Sequence, residues 1–311
     1  MKDEQQPNAQ GRYNGVVAVW FTSHYPLHNR DWRNIQEFAG EYHPLAGYYD
    51  SQDPAVLHQQ LHWMRRAGID LIIYDCFSTS KETMLDELPK DTTLHLLLKE
   101  LAHQQGESRK LKLCMWLERY VDNPSVEHYR FALNYIRTHM AEQDYYYRYK
   151  GRPLVVPFLN GLPDANRAIE VIEFENTYFE LHRIRPFYTD VWSYIEKYPQ
   201  TLRKDWMSVC PGMDPYMEMA YQAKYMEKIS SPDYEKIRQD NAQYRVEREN
   251  GAYYQRQLLR AKQANPDIIF VSGWNDWQYG NHIEPAVEYE FQYVDLTAKI
   301  LGRWEETKPY R

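Results

Sequence analysis

Residues 273–285, Gly-Trp-Asn-Asp-Trp-Gln-Tyr-Gly-Asn-His-Ile-Glu-Pro, carry the densest chemistry in the chain. They bring two carboxylates (Asp276, Glu284), the Asn275 amide, the Trp274 and Trp277 indoles, the Tyr279 phenol and the His282 imidazole together, directly after the apolar run 268–272. Paired carboxylates are the equipment of general acid–base chemistry, and indoles beside them suit the flat face of a sugar ring. A loop that merely plugged a core would leave many polar groups needing buried partners, so a polar ligand is the simpler account.

Other acidic residues follow apolar runs in the same way: Asp75 after 69–74, Glu118 after 111–117, and Asp214 just beyond 207–210. Each could bind a ligand or cap the helix that follows through its free amides. Trp20, His24 and Tyr25 close the first run, and Tyr120 stands two residues beyond Glu118.

The elements that must position these groups read as strand, then helix, repeated. Residues 16–21, 69–74, 111–117, 154–158 and 268–272 are buried-strand patterns, with 178–184 and 207–210 as weaker ones. Helices are expected at 55–67, capped by Asp53-Pro54 and stopped by Gly68, and at 92–104, 125–141, 165–174, 251–264 and 290–301. Residues 211–250 are polar, Tyr-rich and irregular, long enough for a functional insertion. Seven or eight buried strands alternating with helices, without a GxGxxG or P-loop pattern at the first turn, favour a single (β/α)8 barrel over residues 12–311 rather than a doubly wound sheet. Active sites of such barrels lie where the strands end, which is where the carboxylates fall. The Tyr145-Tyr146-Tyr147 run precedes the fourth strand and reads as structural.

Composition narrows the field. A net charge of −7 with basic residues scattered singly argues against nucleic acid and for uncharged ligands. The apolar runs are too short for a membrane span. Three distant cysteines, Cys76, Cys114 and Cys210, suggest neither a disulfide framework nor a metal cluster. His24, His43, His95, His103 and His282 lack the spacing of metal ligands, so no cofactor is expected. The abundant Tyr and Trp suit a sugar-binding cleft. Residues 1–11 form a polar tail: either a frayed terminus, or the tether that follows the lipidated cysteine of a bacterial surface lipoprotein.

The 273–285 segment resembles the signature of glycoside hydrolase family 99 and its relatives associated with bacterial polysaccharide loci, in which a strand runs into Trp-Asn-Glu-Trp, a second Glu, Gly and Ile-Glu-Pro. Weaker matches agree in order: Gly47-Tyr48-Tyr49-Asp50, Asp53-Pro54, Ala67-Gly68-Ile69-Asp70, Glu118, Gly151-Arg152-Pro153 and Ser208-Val209-Cys210-Pro211-Gly212. The resemblance implies a (β/α)8 barrel that cleaves α-mannosidic linkages inside a glycan without a metal. In the family the first Glu acts as base on the sugar's own 2-hydroxyl and the second as general acid. The first falls on Asp276, shorter by one methylene, and the second on Tyr279. A phenol near pKa ~10 is a weak proton donor beside a Glu near ~4.3. Three outcomes therefore stand: Asp276 pairs with Glu118 or Glu284; Tyr279 takes a role of its own; or the cleft binds glycan without cleaving it.

Overall fold

The computed structural model describes residues 11–23, 25, 32–38, 42–76, 91–117, 125–157, 163–183 and 204–304. Its centre is β1 (Val16–Thr22), a β-branched and aromatic run buried over nearly its whole length. Parallel ladders join it to β2 (Leu71–Cys76) on one side and to β8 (Ile268–Val271) on the other. Beyond β2 come β3 (Lys112–Leu117) and β5 (Arg152–Pro157); beyond β8 comes β7 (Trp206–Val209). β5 also pairs with a short antiparallel β4 (Arg148–Tyr149) and a parallel β6 (Glu180–Leu181). The Tyr run is structural as read: Tyr147 N–H donates to Leu113 O at 2.7 Å and the Tyr146 hydroxyl to Leu154 O at 2.9 Å.

The pleat decides which side chains enter the interior. Tyr74 donates its hydroxyl to Asp91 at 2.7 Å, at the start of a surrounding helix, so its neighbour Asp75 faces the opposite way, inside the curled sheet. Register then sets Asp75 opposite Thr22 and Trp116. Rings from distant strands meet in that interior: Trp20 lies 5.9 Å from Trp116, Trp116 stacks 6.2 Å from Phe270, and Phe270 lies 5.1 Å from Trp206. The sheet is thus curled like a (β/α)8 barrel. Among the described residues no ladder joins β6 to β7, and the strand expected at 178–184 is there the two-residue β6.

Helices cover the outside: α1 (Arg33–Phe38), α2 (Pro54–Arg66), α3 (Thr92–Ala102), α4 (Val126–His139), α5 (Pro163–Glu175), α6 (Tyr216–Tyr221), α7 (Tyr234–Asn241), α8 (Ala252–Ala264) and α9 (Gln292–Ile300). Asp53 caps α2 as the sequence suggests, accepting from Ala55 N–H at 2.8 Å, and Asp91 caps α3, accepting from Leu94 N–H at 2.9 Å. Gly68 ends α2 at φ +77°, a conformation that costs glycine little.

The 211–250 stretch is the clearest correction. It is a helical excursion, comprising α6, a π-turn at Gln222–Met226, α7 and a 3-10 turn at Ala242–Tyr244. α7 buries no residue, so no apolar stripe betrays it in the sequence. The Asp233 cap and the i,i+4 pairs Lys236–Asp240 and Glu235–Gln239 support it instead.

Candidate functional site

At the C-terminal end of β8 the chain turns through Gly273 at φ +126°, where an added Cβ would come within 3.0 Å of the Asn281 and Asp276 side chains. Only glycine fits this crossing. The loop then folds back on itself, with Glu284 N–H donating to Trp274 O at 2.8 Å.

Asn275 fixes the loop's entry. Its amide accepts from Thr22 N–H at 2.9 Å and donates to Thr22 O at 2.7 Å, supplying the rung that β1 would otherwise lack at its end. Glu284 fixes the exit. This fully buried carboxyl group accepts from the Trp277 indole at 2.7 Å, the Tyr49 hydroxyl at 2.9 Å and the Gln60 amide at 3.1 Å. Gln60 on α2 also accepts from the Trp274 indole at 2.9 Å, so one amide holds both ends of the loop. Burial pushes the Glu284 carboxyl up to about 8, against the pull of the Trp277 and Tyr49 hydrogen bonds.

Between these anchors lies the presented segment. Asp276 is 1% exposed and opens a 3-10 turn at Trp277–Tyr279. Trp277 stacks 3.6 Å from the His282 ring, which burial and the Arg248 guanidinium hold well below the usual histidine range, so His282 is neutral at neutral pH. Tyr279 packs partly buried against the cluster of Cys210, Met213 and Tyr253, and its carbonyl accepts from Asp214 N–H at 2.8 Å.

The remaining residues singled out from the sequence divide by surroundings. Trp274 and Asn275 have no exposed surface, and their polar atoms are engaged as described. Asp75 is fully buried at the interior end of β2, and Trp20 crosses the same interior from β1. Tyr25 stacks 4.1 Å from Trp32 and is buried beside Tyr49. Asp214 lines an open cleft next to Trp277 and His282. Glu118, Tyr120 and His24 lie outside the described residues.

Sequence reading missed Gln60 and Arg248. Gln60 sits mid-helix with no motif around it. Arg248 comes from the excursion read as irregular, yet it is 6% exposed and donates to the carbonyls of Gly280 and His282 at 2.9 and 2.8 Å. Only its place in a long polar insertion beside the loop could have drawn attention to it.

Comparison with known proteins gives this arrangement a context. The family model for glycosyl hydrolase family 99 matches residues 219–301. The chain is 21% identical to the glycoprotein endo-alpha-1,2-mannosidase of Mus musculus and 22% identical to that of Rattus norvegicus, in each case over 87% of this chain. It spans 64% of the length of those relatives. Among solved structures it resembles the GH99 endo-alpha-mannosidase of Bacteroides thetaiotaomicron, with a TM-score of 0.64 at 18% identity over 93% of this chain and 97% of that one. It also resembles a glycoside hydrolase-like protein, with a TM-score of 0.58 at 13% identity over 96% of this chain and 97% of that one. The chain is family 99-like.

Proposed function

We propose that this family 99-like chain is a glycan-processing protein, a glycoside hydrolase whose central group is Asp276. The observation that carries the reading is the anchoring of the 273–285 loop at both ends, by Asn275 on β1 and by Glu284 on α2. It holds Asp276 at the mouth of the curled sheet, where barrels of this type do their chemistry. Asp276 takes the part of the carboxylate that draws the proton from the sugar's 2-hydroxyl. Glu284 is fully buried with both oxygens held by Trp277, Tyr49 and Gln60, and its part is to position the loop. Glu118, which follows the last residue of β3, is the acid we assign. Asp75, Trp20 and Trp277 then line the route of the sugar, and no metal takes part. We also propose that the barrel closes at the β6–β7 edge, which the His182 ring, stacked 4.4 Å from Trp206, supports.

A second reading, a barrel that binds glycan without cleaving it, is favoured by one observation. Tyr279, at the family's acid position, is packed against the Cys210, Met213 and Tyr253 cluster. The test is release of reducing ends from α- and β-linked polysaccharides, mannans included, by the protein and by Tyr279→Glu. Cleavage by the unaltered protein upholds the hydrolase. A silent protein that Tyr279→Glu makes active establishes the binding barrel instead.

A further inference from the structure

The overall acidity of the chain argues for uncharged ligands, yet the fold gathers positive charge at one place. Arg238, Arg245 and Arg248 are separated along the helical excursion but line a single cleft of about 110 Å³, with Tyr42, Tyr216 and Trp277 among its other walls. Its carboxylates among the described residues, Asp214 and Glu247, are both committed to Arg245, at 3.8 and 2.7 Å.

The other two guanidiniums have no carboxylate within ion-pair distance among the described residues. Arg238 is exposed and lies 3.8 Å over the Tyr216 ring. Arg248 is buried among the rings of Tyr42, Tyr289 and Tyr293, at 5.0, 5.4 and 4.7 Å. It spends Nη2 on two backbone carbonyls, while Nε and Nη1 find no acceptor in hydrogen-bond geometry. A buried cation without a counter-ion is costly to keep, and its field at the cleft is little screened. The described lining of the cleft therefore carries net positive charge in a chain of net charge −7.

We propose that this cleft is a subsite for an anionic substituent, a carboxylate or sulfate, on the glycan. The assignment rests on the glycan reading above and narrows it to acidic glycans. A space of about 110 Å³ accommodates the charged group with part of the ring that bears it. Arg238 and Arg245 at the rim supply charge-assisted hydrogen bonds, Arg248 beneath them supplies a fixed positive field, and Tyr42 and Trp277 face the ring.

The experiment is binding of the full chain to an array of neutral, uronate-bearing and sulfated oligosaccharides. It is followed by calorimetry with the best anionic glycan and the neutral glycan of the same backbone, at 50 and 500 mM NaCl. Arg238→Gln and Arg245→Gln are the variants, since both side chains reach solvent and their melting temperatures report an intact fold. Anionic glycans are expected to bind at least about tenfold more tightly than their neutral counterparts, with a loss of about tenfold at high salt or in Arg238→Gln. The uronate and sulfate arms tell which anion is read. Equal binding of neutral glycans, or no binding of anionic ones, overturns the subsite, and cleavage of a neutral mannan would then leave the hydrolase reading standing alone. Anion-selective binding without bond cleavage upholds the subsite while the hydrolase reading fails.

Discussion

At the scale of the residue, Glu284 is the most constrained group of the site, and its behaviour with pH follows from its burial. Its folded pKa of about 8 lies above the ordinary value of 4.5. Between those values the folded chain keeps a proton that the unfolded chain has lost, so this group's contribution to stability is full below about pH 4.5 and is lost as pH rises through 8. Glu284→Gln removes that slope. Urea denaturation at pH 5, 6.5 and 8 should give a wild-type-minus-variant stability difference that falls across the series; a flat or rising difference contradicts the assignment. Gln60→Ala strips acceptor and donor from two buried partners at once and is expected to cost roughly 1–3 kcal/mol in the same denaturation experiment. The importance of Glu284 was legible, because Ile-Glu-Pro closes a loop of unusual chemical density. Gln60 was not: a glutamine in the middle of an amphipathic helix looks like any solvent-facing residue until the fold turns it inward.

At the scale of the element, caps and β-branched runs made β1, β2, β3, β8 and α2 to α4 readable to within about two residues. Their signals are local: Asp53-Pro54 before α2 and Ser125 before α4. Asp53→Ala removes the acceptor for Ala55 N–H and should lower stability by about 1 kcal/mol, seen as a drop in the denaturation midpoint with the slope unchanged. The excursion was hidden because α7 lacks an apolar face. That same lack makes it labile, so its amides should exchange with solvent orders of magnitude faster than those of β1 and β2; comparable protection would mean that α7 packs against something further.

At the scale of the whole molecule, the alternation of strands and helices foretold a barrel-like sheet, and the rings of Trp20, Trp116, Phe270, Trp206 and His182 crossing its interior show how tightly it curls. Net charge averaged over the chain does not register how charge is distributed in the fold. Arg238, Arg245 and Arg248 are dispersed in sequence and converge only once the excursion folds beside the 273–285 loop. Charge that is dilute along a chain can be concentrated in a cleft, and no count of residues reveals it. In the proposed function Asp276 performs the chemistry at the mouth of this sheet. Its most direct test is the turnover of Asp276→Asn on a glycan that the unaltered protein cleaves, with folding checked by melting. A loss of roughly 10²–10⁴-fold in turnover with glycan binding retained is expected. A variant that is folded and as active as the parent would contradict it.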